Sequence, residues 1–296
     1  MVGGKVYRTV TDQCWSAPKR IADMQSMGIR RQVLSPMPEL LSYWMPADAA
    51  KVFLRDLNEQ IAAVVNAQPD CFSGFAAVPL QDVDMAIAEL DYARKLGLIG
   101  VEIGSNINGK PIGAPEFDPF FAAAARLNMA VFVHAIRPAG LERLVGPGVL
   151  EQGLAFPGEI GLAAGSAITS NLSERHPGLR LCFSHGGGSL ALLLPRLEKA
   201  RQSFPVLASA IHASPRELAR QFYYDALVYD AATLRYLIDQ FGAERLVLGT
   251  DYPFQIMETD PLGRLGEAGL DDATRDLLAH ANAARFLGLA EPDPPQ

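Results

Sequence analysis

Three polar residues stand where apolar runs end, and their types suit metal-assisted chemistry. His134 ends the run VFVH, His185 follows CFS, and Asp251 follows VLGT. Imidazole nitrogens and carboxylate oxygens are good zinc ligands, and an imidazole titrates near neutral pH, as a proton-transferring group must. Taken singly, each residue has an ordinary structural explanation, such as a hydrogen-bonded histidine or a turn-capping aspartate. Three such residues at three strand ends favour one shared functional site.

The segments that position these residues alternate between short apolar runs and amphipathic stretches. The predicted strands cover residues 30–37, 72–80, 98–105, 129–135, 179–187, 221–229 and 245–254, and the predicted helices cover 16–28, 47–68, 83–97, 117–128, 158–176, 189–203, 231–242 and 271–289. Repeated strand–helix units predict a parallel sheet that helices cover. The fold class is therefore predicted to be α/β, as a single (β/α)8 TIM-type barrel domain over residues 1–296.

The count of predicted strands is about seven, whereas a closed barrel of this type has eight. The segment KVYRTV (5–10) alternates polar and apolar residues, so it does not replace a buried strand. We therefore expect the first barrel strand to be missing from the chain. In parallel barrels the catalytic residues collect at the carboxyl ends of the strands, so His134, His185 and Asp251 are expected to meet on one rim.

Composition excludes several classes of protein. The formal net charge is −7 and no basic stripe is present, which argues against nucleic-acid binding. The three cysteines are odd in number and widely spaced, which argues against a disulfide framework and is typical of a reducing cytoplasm. No apolar run reaches the ~18 residues of a membrane span, so a cytoplasmic enzyme is expected.

Two arginines are candidates for binding an anionic substrate. Arg8 lies in KVYRTV, and Arg196 lies in the helix that follows His185. The guanidinium group matches a carboxylate with two parallel hydrogen bonds. Surface charge is nevertheless the usual role of an arginine, and by residue type alone that role is favoured for both.

Several segments of the chain resemble one family in the same order. They read GGKVYRTVTDQCW, QVLSPMPELLSYW, VFVHA, CFSHGGG, FYYDALVYD and VLGTDYPF. They look like segments of the 2-amino-3-carboxymuconate 6-semialdehyde decarboxylases, part of the amidohydrolase-related superfamily. HGGG and GTDYPF are shared across the wider superfamily, whereas GGKVYR and LSYW are more particular to this type.

The resemblance implies an amidohydrolase-like barrel and a role for each candidate residue. His134 and Asp251 correspond to ligands of a Zn²⁺ ion, and His185 corresponds to the catalytic histidine. Arg8 corresponds to an arginine that binds a substrate carboxylate. Arg196 corresponds to an arginine that reaches the neighbouring subunit's site, which implies a homodimer. The implied activity is zinc-dependent, non-oxidative decarboxylation.

The sequence departs from the family pattern in ways that leave alternatives open. The family has a His-x-His pair in its first strand, whereas no histidine precedes His134 here. The family typically has Pro-Trp after that histidine, where this chain has Ala135-Ile136. The alternatives are a hydrolase or aromatic-acid decarboxylase on the same scaffold, or a truncated homologue without catalysis.

Overall fold

Parallel strands alternate with helices in the computed structural model, which describes residues 9–289. The strands are β1 Gln32–Leu34, β2 Phe72–Ala77, β3 Gly100–Gly104, β4 Asn106–Ile107, β5 Lys110–Pro111, β6 Ala130–His134, β7 Leu181–Phe183, β8 Tyr223–Asp225 and β9 Leu246–Val247. The helices are α1 Ala17–Ser26, α2 Ala47–Ala67, α3 Val83–Lys95, α4 Asp118–Arg126, α5 Phe156–Thr169, α6 Leu172–Arg175, α7 Leu190–Ser203, α8 Pro205–Ala210, α9 Pro215–Ala219, α10 Ala231–Phe241, α11 Pro261–Glu267, α12 Asp272–Asp276 and α13 Asn282–Leu287.

Seven of the strands form one sheet in the order β1-β2-β3-β6-β7-β8-β9. Every neighbouring pair is parallel, so all seven carboxyl ends lie at one edge. The predicted α/β fold of the TIM-barrel type is confirmed, as is the count of seven strands. Within residues 9–289 no strand pairs β1 with β9, which leaves the sheet open between them.

The two faces of the sheet bury different sets of side chains, because successive residues of a strand point to opposite faces. On the inner face Phe75, Ala130, Cys182 and Tyr223 form a layer with Phe286 from α13. The rings of Phe75 and Phe286 are 6.2 Å apart, so the final helix packs against the inner layer. The outer face packs against the helices in the larger core cluster.

Some predicted elements differ in extent from the observed ones. Of the predicted strand over 245–254, only the two residues of β9 are a strand; Arg245 ends a 3-10 helix, and an irregular loop that carries Asp251 follows β9. The predicted closing helix over 271–289 is divided, with a π-helical segment, Leu277–Ala281, between α12 and α13. Within residues 9–289, no helix is both long enough and apolar enough to cross a membrane.

Candidate active site

His134, His185 and Asp251 line one cavity of about 350 Å³ at the carboxyl edge of the sheet. His134 is the last residue of β6, His185 comes two residues after β7, and Asp251 comes four residues after β9. The three residues singled out by their positions at strand ends are thus brought together. Their roles as ligands and catalyst remain predictions.

The ring of His134 is oriented by its own backbone. Its Nδ1 lies 3.0 Å from the carbonyl oxygen of Ala135. A carbonyl only accepts hydrogen bonds, so Nδ1 carries the proton and the lone pair of the neutral ring is on Nε2. This tautomer is the one that metal-binding histidines commonly adopt when a backbone carbonyl holds the other nitrogen.

His185 sits beside His134 in an unusual turn. The two ring centroids are 4.9 Å apart and the rings are nearly perpendicular, and the ring of Phe156 lies parallel to His185 at 6.3 Å. Burial is the main cause that lowers the pKa of His185 to about 3, and the electrostatic interaction with neighbouring His134 contributes to the same shift. The imidazole is therefore neutral at pH 7 in the metal-free protein, which is the form that accepts a proton.

Asp251 belongs to a loop that the first helix braces. Its φ of 56° places it in the left-handed region, which L-residues rarely adopt. The next residue is Tyr252, and its hydroxyl donates a hydrogen bond to the carboxylate of Asp23 in α1 at 2.5 Å. The guanidinium of Arg20 lies 5.0 Å from the Tyr252 ring centroid. Helix α1 therefore helps to fix the loop that presents Asp251 to the cavity.

Two buried acids beside the cavity were not among the candidates predicted from the sequence. Glu102, in the middle of β3, is 2% exposed, and burial raises its pKa to about 8, helped by the charges of Glu39 and Asp251. Asp225, at the end of β8, is 5% exposed. Burial raises its pKa to about 6, although backbone N–H groups partly offset the effect. The available signal was an acid within an otherwise apolar strand, a costly placement that calls for an explanation.

The remaining cavity wall comes from loops and from the segment before α5. The π-helical segment Glu151–Ala155 contributes Gln152 and Gly153, and π-helical turns are frequent at functional sites. Most of the other lining residues are apolar, namely Pro38, Phe156, Pro157, Leu227, Val228, Phe254 and Ile256. An apolar wall with a few convergent polar groups is typical of a small-molecule site.

The donors at this cavity fit a divalent metal in type but supply only part of a site. His134 has a lone pair on Nε2, and Asp251 has carboxylate oxygens. Within residues 9–289, however, no three His, Cys, Asp or Glu side chains are grouped so as to hold a metal ion. Catalytic zinc sites usually have three protein ligands, so His134 and Asp251 need at least one further ligand.

The two candidate arginines are placed differently. Arg8 lies outside the described residues. Arg196 is exposed on α7 and does not line the cavity of its own chain. Leu192 on the same helix is 74% exposed, and Leu193 is also exposed. The homodimer in which Arg196 would reach the neighbouring site stays a prediction.

Comparisons with known proteins agree on the type of fold and reaction. The sequence profile of the Amidohydrolase family matches residues 6–289. A 2-amino-3-carboxymuconate-6-semialdehyde decarboxylase from Dictyostelium discoideum is 35% identical over 98% of this chain and 81% of its own length. The crystal structure of 5-carboxyvanillate decarboxylase from Sphingomonas paucimobilis is 25% identical, with a TM-score of 0.83 over 92% of this chain and 83% of that one. A dihydroxybenzoic acid decarboxylase from Polaromonas sp., solved with bound manganese, has a TM-score of 0.80 at 21% identity, over 92% of this chain and 86% of that one.

Proposed function

The chain belongs to the amidohydrolase family, and the relatives compared with it are decarboxylases, one of them solved with bound manganese. We propose that this chain removes carbon dioxide from 2-amino-3-carboxymuconate 6-semialdehyde, with Zn²⁺ as its metal. The observation that carries the proposal is the convergence of His134, His185 and Asp251 on one cavity. The relative from Dictyostelium discoideum, which carries this substrate in its name, matches over nearly the whole chain. Fold alone would not select a reaction.

In the proposed site, His134 and Asp251 hold the metal. The tautomer set by the carbonyl of Ala135 places the lone pair of His134 on Nε2, the nitrogen that would ligate the metal. When bound, such a metal supplies Lewis acidity and lowers the pKa of water toward ~7. The remaining ligands, a His-x-His pair in the family pattern, are not among residues 9–289.

His185 is the proposed acid–base residue. Its neutral imidazole takes a proton during addition of the hydroxyl nucleophile to the conjugated substrate and returns a proton to the carbon that loses the carboxylate. The bond to the carboxylate then breaks and carbon dioxide leaves, the electron pair of that bond re-forms the double bond, and the added hydroxyl departs as hydroxide, which restores conjugation. The apolar wall around His185 excludes water, which strengthens electrostatic interactions with the substrate.

Arg8 is proposed to bind a carboxylate of the substrate, together with Arg196 of a second subunit. The exposed position of Arg196, away from the cavity of its own chain, supports a role in trans. Two guanidinium groups on the carboxylates would hold the scissile bond in a fixed orientation.

The role in trans has a direct test in mixed dimers. His185→Ala subunits and Arg196→Ala subunits are each expected to be inactive alone. Mixed dimers place an intact His185 beside an intact Arg196 in one of their two sites. About one quarter of the wild-type activity should therefore return after random mixing of subunits. No recovery in confirmed mixed dimers would mean that Arg196 does not act in the neighbouring site.

The substrate is tested by carbon dioxide release from 2-amino-3-carboxymuconate 6-semialdehyde, against 5-carboxyvanillate and 2,6-dihydroxybenzoate as alternatives. Release from the first substrate supports the proposal. Release only from an aromatic acid would support the second candidate function, which the likeness to 5-carboxyvanillate decarboxylase favours. Release from none of them by metal-loaded protein would contradict both.

The metal is tested by measuring zinc and manganese per chain in purified protein. About one zinc per chain supports zinc, and manganese in its place would correct that part of the proposal. Neither metal, together with no gain of activity on adding either one, would favour the non-catalytic alternative.

A further inference from the structure

We infer that Asp225 is a positioning residue for His185, holding the turn that aims the imidazole into the cavity. The inference rests on the proposed function of His185 for its catalytic consequence. Its structural content, one carboxylate that fixes the backbone on which His185 is carried, can be tested separately.

Every residue of the turn that carries His185 has a positive φ. His185, Gly186, Gly187 and Gly188 have φ values of 54°, 62°, 73° and 59°. The N–H of Gly187 donates to the carbonyl of Ser184 at 3.0 Å, and that of Gly188 donates to the carbonyl of His185 at 2.8 Å. Glycines adopt this conformation freely, but for an L-residue such as His185 it costs about 1–2 kcal/mol. Surrounding contacts must therefore hold His185 in place.

Asp225 supplies those contacts from the adjacent strand end. Its Oδ1 accepts hydrogen bonds from the N–H of Gly186 at 2.9 Å and from the N–H of Leu227 at 3.1 Å. The backbone N–H of His185 is close enough to this carboxylate to help lower its pKa. The side chain is almost fully buried, so water does not compete for these bonds. One carboxylate thus ties the turn after β7 to the segment after β8.

Among residues 9–289, no hydrogen bond to the side chain of His185 fixes the orientation of its ring. Its Nδ1 is buried and has no hydrogen-bond partner among residues 9–289. Catalytic histidines are commonly oriented by a carboxylate on that nitrogen. Here the carboxylate holds the backbone instead, and the rings of His134 and Phe156 pack around the imidazole. The direction of the ring therefore follows from the turn that Asp225 fixes.

The test compares Asp225→Asn with a control in which another buried polar side chain is lost. Asparagine keeps the size but removes the charge, and charge-assisted hydrogen bonds are about twice as strong as neutral ones. Asn282→Ala is the control. Asn282 is fully buried and donates to the carbonyls of Ala243 and Leu246, at the amino-terminal edge of the sheet and thus opposite the edge that carries the cavity. Both variants should lose thermal stability.

Two readouts separate positioning from general destabilisation. The first is the imidazole ¹⁵N spectrum, with His185 assigned by the His185→Gln variant. The His185 signals are expected to shift in Asp225→Asn and to stay in place in Asn282→Ala. The second is steady-state kinetics on whichever of the three candidate substrates the wild-type protein decarboxylates with the highest kcat/KM. For Asp225→Asn, kcat should fall at least about tenfold, toward the ~100-fold that a 1 Å misplacement costs, with little change in KM. Asn282→Ala should retain the wild-type kcat.

The inference is overturned if His185 signals do not move in Asp225→Asn, if they move equally in Asn282→Ala, or if Asp225→Asn keeps the wild-type kcat. Wild-type protein without decarboxylase activity would refute the proposed function alone, and the spectra would still decide the role of Asp225. Amide hydrogen exchange of wild-type Gly186 needs no variant. We expect strong protection, since its N–H bonds to buried Asp225, and fast exchange would contradict the inference even if Asp225→Asn failed to fold.

Discussion

Replacing Glu102 by Gln should change how the stability of the protein depends on pH. Glu102 points to the inner face of β3, where its Oε2 accepts a hydrogen bond from the hydroxyl of Ser35. Burial is the main cause that raises its pKa to about 8, and nearby Glu39 and Asp251 add to it. The side chain is therefore a neutral acid at pH 7, which glutamine matches in size and polarity.

The magnitude follows from the two pKa values of Glu102. In the unfolded chain the ordinary value of 4.5 applies, and in the folded protein the value is about 8. Between these values the folded state binds one more proton than the unfolded state. The contribution of Glu102 to stability is fully present below pH 4.5 and decreases by about 1.4 kcal/mol per pH unit as pH rises toward 8. Between pH 4.5 and pH 7 the loss is about 3 kcal/mol.

Glutamine does not titrate, so Glu102→Gln should escape this loss. Urea unfolding at pH 5, 6, 7 and 8, followed by circular dichroism on chelator-treated protein, gives the free energy of unfolding of both proteins. The variant should differ least from the wild type at pH 5 and become progressively more stable than the wild type as pH rises. An infrared band of a protonated carboxylic acid, present in the wild type at pH 7 and absent from the variant, is the independent check. A difference in stability that is the same at pH 5 and pH 8 would refute the reasoning.

Four further predictions concern the site and the core. His185→Ala should abolish decarboxylation while the metal content, measured by mass spectrometry, stays at the wild-type level; turnover by this variant would remove the assigned role. Chelator treatment should abolish activity and added Zn²⁺ should restore it, and activity that survives complete metal removal would contradict a metal-dependent reaction. Gly188→Ala should cost about 3 kcal/mol or more, because the new methyl would meet the carbonyl oxygen of Pro157 at 1.9 Å; a thermal melt like that of the wild type would contradict this clash. Leu54→Ala should cost about 2–5 kcal/mol in urea unfolding, since Leu54 is fully buried in the core cluster, and a loss below that range would mean that the core closes around the cavity.

Local sequence patterns determined the strand–helix order, because each apolar run needs a partner surface that hides it from water. The runs that end at His134 and precede His185 were both recognised as strands, with these residues near their carboxyl ends. Parallel strands bring such ends to one edge, so the sequence alone predicted the cavity that these residues share with Asp251. Arg8 and Arg196 rest on the family resemblance, and their roles are still predictions.

Only the tertiary structure decided which polar groups are buried and what they bind. Glu102 is a neutral acid because the inner face of the sheet closes over it, and a sequence does not show that face until the register between strands is known. Asp225 and the turn at His185 lie 39 residues apart in the chain and meet only because β7 and β8 are neighbours. Hydrogen bonds and desolvation act through distances in space, so these roles arise from the packing of distant segments rather than from any local pattern.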